Sequence, residues 1–162
     1  TITSRTKEII LVHYRVSLIV ISVLIASALG GSIFAQAQKP WAPPKSGVWQ
    51  VKGSDTENTA WTAELILTRR GSNKGQPRYK GYFEWKSEDG ETSGREYFNG
   101  WFERKTGRLR LKAYSAKSEK GDIGVGNYLA RGREKGTRLV GGRWWGHDVV
   151  PGTWTADWSG PK

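Results

Sequence analysis

The chain has 162 residues, with 26 basic against 15 acidic side chains, nine tryptophans and no cysteine. Without cysteine there is no disulfide, no thiol nucleophile and no acceptor for a lipoprotein-type anchor. With His147 the only histidine after His13, a multi-histidine metal site within the folded part is excluded as well. The basic excess favours anionic partners, and interspersed charge on a soluble surface accounts for part of it.

In chain order, residues 1–37 read as an export leader. Arg5, Lys7 and Arg15 form a basic flank, Val16 to Leu29 is apolar apart from three serines, and Ala35-Gln36-Ala37 fits a small-x-small cleavage site. Cleavage after Ala37 predicts a periplasmic or extracellular protein. Uncleaved, residues 16–35 would be its membrane contact, close to the ~20 residues that a spanning helix needs. Residues 38–46, QKPWAPPKS, predict a linker, since their three prolines disfavour helix and supply no backbone donor. From residue 38 onward 23 basic and 14 acidic residues remain, a net +9 on a length suited to one domain, 47–162.

Beyond residue 46 the apolar period is two throughout. Trp61, Ala63, Leu65 and Leu67 alternate with polar neighbours, with Ile66 as the exception; Leu109, Leu111 and Ala113 alternate with Arg108, Arg110 and Lys112; Trp154, Ala156 and Trp158 alternate with Thr153, Thr155 and Asp157. Turn clusters such as Gly71-Ser72-Asn73, Asp89-Gly90 and Thr106-Gly107 separate the runs. They predict strands near 47–53, 60–69, 78–86, 93–103, 107–115, 124–132, 138–145 and 151–158. Sequential antiparallel strands of this number close into an all-β up-and-down barrel, with a two-sheet sandwich as the rival; glycines within strands, such as Gly81 and Gly100, favour the barrel.

The opening Gly47-Val48-Trp49 resembles the Gly-x-Trp of the first strand in lipocalin-like and avidin-like barrels, as do the length and the meander. The resemblance implies a ligand held in the barrel mouth. Lipocalins set an arginine from the final strand across that tryptophan; the last strand here has none, and Arg143 on the strand before is the nearest substitute. Avidin-like proteins carry an aspartate near their end, and Trp145-Gly146-His147-Asp148 is similar, but a further strand follows, so no biotin site is carried onto Asp148.

In Tyr82-Phe83, Tyr97-Phe98, Trp101-Phe102 and Trp144-Trp145 the two side chains must point to opposite faces of one strand. One member of each pair is left outside the core, for a ligand, a partner or an oligomer contact. Catalysis is not expected. No nucleophile elbow surrounds any serine that could join His147 with Asp148 or Asp157, and Glu84, Glu96, Glu103 and Asp157 read as strand-surface carboxylates more readily than as a glycosidase pair. The acidic run Ser87 to Glu91 reads as a hairpin turn rather than a calcium loop.

The sequence thus predicts an exported, non-catalytic binding protein without cofactor or metal. Its ligand is expected to be small and hydrophobic or amphipathic, contacted by Trp49, Trp101, Trp144, Trp145 and Arg143. The alternative is a surface that holds anionic polysaccharide or cell-wall polymer through Arg108, Arg110, Lys112 and exposed aromatics, or an accessory role in an envelope complex; nucleic acid is not expected. Arg108, Arg110 and Lys112 share one face of one strand and repel unless Glu96 or Glu103 on the preceding strand neutralises them.

Overall fold

The computed structural model describes residues 40–162; the leader expected at 1–37 lies outside the described residues. The strands are β1 (Gly47–Asp55), β2 (Ala60–Asn73), β3 (Gln76–Ser87), β4 (Ser93–Glu103), β5 (Arg108–Lys120), β6 (Asn127–Arg133), β7 (Arg138–Trp145) and β8 (Gly152–Gly160). Each pairs antiparallel with the next, and β8 returns to β1, with Val51 opposite Ala156, so the sheet closes and no edge is left open. The sandwich alternative is set aside by that closure. A short 3-10 turn at Glu134–Gly136 joins β6 to β7.

Strand alternation decides the interior. Trp49, Leu65, Phe83, Phe98, Phe102, Leu109, Leu139 and Trp154 are buried on the inner face. The three phenylalanines contribute about 1.5–3 kcal/mol each by leaving water. Phe83 is the hub of this core, 4.9 Å from Trp85, 4.7 Å from Tyr128 and 5.2 Å from Phe98 between ring centroids. All four adjacent aromatic pairs divide as expected: Phe83, Phe98, Phe102 and Trp144 are buried, while Tyr82, Tyr97 and Trp101 are half-buried and Trp145 is exposed. Ile66 breaks the alternation because it is buried on the outer face, in register with Val48 and Tyr82. Gly81 is required by packing, since a Cβ there would overlap the Ile66 carbonyl.

Two segments depart from the strand expectations. β5 runs on to Lys120, held by pairing with β4 through two register shifts, and β6 starts only at Asn127. Residues 121–126 are therefore a loop rather than the start of a strand. At the other end, the proline segment expected to be a linker is packed on the barrel from residue 40. The Trp41 N–H donates to the Arg104 carbonyl at 3.0 Å and Lys45 N–H to the Gly136 carbonyl at 2.9 Å. In return the Tyr79 hydroxyl donates to the Pro44 carbonyl at 2.8 Å, and the indole N–H groups of Trp49 and Trp158 donate to the Lys45 and Ser46 carbonyls, each at 3.1 Å. Proline lacks a donor but keeps its carbonyl. This segment closes the end of the barrel where β1 begins; the opposite end, where β1 finishes, is the mouth.

Candidate functional site

The mouth end holds a cavity of about 150 Å³. Its aromatic walls are Trp61 from the start of β2, Trp85 from the end of β3, Tyr128 from the start of β6 and Trp144 from the end of β7. Ile123 in the β5–β6 loop and Val149 in the β7–β8 loop pack on the core from above and complete it. The rings support one another: Trp85 lies 6.3 Å from Trp61 edge-on, 6.2 Å from Tyr128 stacked and 5.7 Å from Trp144. Trp144 stands against Gly152, where a Cβ would overlap its ring.

Below these rings lies Glu96, 1% exposed, projecting inward from β4. Its Oε1 accepts the Gly126 N–H at 2.6 Å; its Oε2 accepts the Trp85 indole N–H at 3.1 Å and the Tyr128 hydroxyl. Burying an ion costs several kcal/mol after relaxation, and hydrogen bonds to a charged group return about 1.5–3 kcal/mol each, so three donors are on the scale of the penalty. Burial pushes the Glu96 carboxyl up from its ordinary value, while the bonds from Tyr128, Gly126 and Trp85 pull it down, and burial prevails. Burial, the charge of Glu96 and the hydrogen bond to it push the Tyr128 hydroxyl well up.

The side-chain donors of the cavity are all engaged. Trp61 donates to Asp55 Oδ2 at 2.9 Å, Trp144 to the Val150 carbonyl at 2.7 Å, and Trp85 and Tyr128 to Glu96. No side-chain donor of the walls is left free for a ligand. Among the described residues, no group of three or more histidines or carboxylates is arranged to hold a metal ion.

No protein-family model, curated protein or solved structure matches the chain. The likeness of Gly47-Val48-Trp49 to lipocalin-like and avidin-like barrels has no support from these comparisons, and the closed meander shows the barrel alone.

The residues singled out from sequence fall in three places. Trp144 alone lines the cavity. Trp49 is fully buried near the closed end, with its N–H on Lys45 rather than under an arginine; Arg143 points outward from β7 and does not cover it. Trp101, Arg108, Arg110, Lys112, Arg143 and Trp145 come together on the outer face of β4 to β7. Register aligns Arg78, Trp101, Arg110, Leu129 and Arg143 in one row across β3 to β7, and Lys80, Asn99, Lys112, Asn127 and Trp145 in the next. Arg110 is neutralised by Glu103 at 2.7 Å. Glu96, offered as the other neutraliser, cannot serve, because it faces the interior.

The catalytic alternatives disperse. Glu84, Glu103 and Asp157 each take an arginine on the outer face, while Glu96 is alone within. His147 and Asp148 pair at 2.8 Å on an exposed loop at the mouth, and Ser159 is near the closed end of β8. The Asp148 carboxylate raises the His147 pKa. Asp89 closes a hairpin turn, its Oδ1 accepting the Ser87 hydroxyl at 2.6 Å and the Glu91 N–H at 2.9 Å.

Sequence reasoning missed Trp61, Trp85, Glu96 and Tyr128 as a group. A signal was present: Glu96 shares the phase of Phe98 and Phe102, and a carboxylate on the inner face of an aromatic strand is the anomaly that marks the site.

Proposed function

We propose that this protein is a non-catalytic binding barrel that holds one small ligand in its mouth cavity. The observation that carries this reading is the fully buried Glu96, fixed by three donors beneath a cage of four aromatic rings. A cavity of about 150 Å³ is the size that accepts a benzene-sized molecule, which favours a small compound over a lipid or long-chain fatty acid. With the expected leader, the ligand would be met outside the cytoplasm.

Native mass spectrometry of the full chain, against the same sample denatured, tests occupancy, and a Val149→Trp variant tests the place. A bound mass that disappears on denaturation and in Val149→Trp supports the reading. A bound mass retained in Val149→Trp moves the site elsewhere, and no binding of any benzene-sized probe to the apo protein overturns it.

A second reading has its own support. The two basic and aromatic rows on the outer face of β3 to β7 would suit an extended polyanion such as an anionic polysaccharide, with Trp101 and Trp145 offering ring faces between Arg78, Lys112 and Arg143.

A further inference from the structure

We infer that the ligand of the mouth cavity is a small alkylammonium cation, of the size of tetramethylammonium. This rests on the reading of the cavity as a binding site, and goes on to name the chemistry that it selects.

The cavity is acidic within a basic protein. Basic residues outnumber acidic ones 23 to 14 from residue 38 onward, yet among the described residues the charged ones lining the cavity are Asp55, Glu96, Asp122 and Asp148, with no lysine, arginine or histidine. Three of the four sit at the rim. Asp55 is occupied by Trp61 and by the turn N–H groups of Glu57 and Thr59, and Asp148 by His147. Glu96 is different: it is at the floor, and every partner it has is a neutral donor. Its hydrogen bonds are satisfied, while no described residue gives its charge a counter-ion.

The side-chain donors of the walls are already engaged. An anion or a carbonyl ligand needs donors, and the indole N–H groups of Trp61, Trp85 and Trp144 and the hydroxyl of Tyr128 already have acceptors within the protein. The four rings that line the cavity carry the negative side of the aromatic quadrupole on their faces. Aromatic faces around a small void are how quaternary ammonium groups are recognised, and a desolvated carboxylate adds to the attraction. A neutral apolar ligand would gain the same burial but would leave the Glu96 charge uncompensated. The arrangement of donors also fits an ionised Glu96, because Trp85 and Gly126 can only donate to it.

The test compares tetramethylammonium chloride with tert-butanol, a neutral molecule of the same shape, on the full chain, by calorimetry and tryptophan fluorescence at constant ionic strength. The expected result is at least tenfold tighter binding of the cation, with the preference falling to about one in Glu96→Gln. Glu96→Gln sets an amide N–H against a protein donor and can impair folding. Trp61→Leu, at the half-buried rim, is therefore the second variant, and it should weaken the cation about three- to tenfold with little effect on tert-butanol. Equal binding of the two ligands, or tighter binding of tert-butanol, overturns the cation proposal and leaves the cavity as a site for neutral molecules. A cation preference that persists in a folded Glu96→Gln variant, or one that Trp61→Leu leaves undiminished, also overturns it. If neither ligand binds, the cavity reading falls with it.

Discussion

Tyr128 and Glu96 are 32 residues apart in sequence and joined in the barrel interior, the Tyr128 hydroxyl donating to Oε2 of a carboxylate with 1% exposure. The bond ties the start of β4 to the start of β6 across β5, where Ala116 lies opposite Glu96 and Leu111 opposite Tyr128. It makes a site of what the topology alone would leave as core.

The first consequence is a pH dependence of stability. Burial raises the Glu96 pKa in the fold above the ordinary carboxylate value of about 4.3. Between the two values the folded state holds a proton that the unfolded chain has released, so the stabilisation linked to this group is full below the unfolded pKa and is lost as pH rises through the folded one. Asp89 and Glu103, with lowered pKa values, act in the opposite sense at lower pH. The difference between wild type and Glu96→Gln isolates the site. Urea midpoints measured from pH 4 upward should fall in the wild type relative to the variant. Parallel curves would mean that Glu96 keeps its ordinary pKa. In the same experiment Glu96→Gln should cost about 1–3 kcal/mol at neutral pH, since one buried donor loses its acceptor.

The proline segment yields a second prediction. Trp41 is half-buried at the closed end, with the guanidinium of Arg133 4.8 Å from its ring, and the Tyr79 hydroxyl is held by Pro44. Burial lifts the Tyr79 pKa to about 12. Trp41→Ala should destabilise by about 2 kcal/mol, roughly half the 3–5 kcal/mol of a fully buried tryptophan, and Tyr79→Phe by about 1 kcal/mol. Denaturant titration checks both. Wild-type midpoints in both variants would show that residues 40–46 are dispensable to the fold.

These cases show where the sequence was readable. Period-two alternation and glycine turns located all eight strands, apart from the end of β5 and the start of β6, and the four aromatic pairs told that one ring of each would be left outside, because both rest on local geometry. The closed end was misread as a linker because three prolines announce missing donors, whereas what mattered was the carbonyls that Tyr79 and Trp158 reach from distant strands. The cavity was hidden for the same reason: Trp61, Trp85, Glu96 and Tyr128 come from four strands, and only closure of the barrel brings them together. Trp144 was found because a tryptophan doublet is conspicuous by itself. Arg143 was placed by analogy with a lipocalin arginine, and the alternation of β7 turns it outward.

The outer face can be tested independently of the cavity. Arg108, Lys112 and Arg143 are exposed, whereas Arg110 is paired with Glu103. Replacing the three exposed residues with alanine should leave stability within about 0.5 kcal/mol, as for surface positions generally. If an anionic polysaccharide binds there, the substitutions should lower its affinity and flatten the dependence on salt, because fewer counterions are released. Retention on an immobilised anionic polysaccharide, measured over a salt series, reads this out. An unchanged salt slope would dismiss the surface reading and leave the mouth as the candidate.

Gly152 gives the sharpest structural test of the cavity wall. It opens β8 directly against the Trp144 ring, and a Cβ there would overlap the ring and lie at 2.5 Å from the Ser54 carbonyl oxygen. Neither neighbour yields easily: Ser54 is in the β1–β8 ladder, and the Trp144 indole is tethered to the Val150 carbonyl at 2.7 Å. Gly152→Ala must therefore push the ring into the cavity or break its tether. It should cost about 1–3 kcal/mol by overpacking and diminish binding of any mouth ligand more than that loss of stability explains. Trp144→Phe shortens the ring on the same wall, and combining it with Gly152→Ala should recover part of the stability, since residues in contact are not additive. Independent, additive losses in the double variant would mean that Gly152 answers to the β1 backbone and not to Trp144.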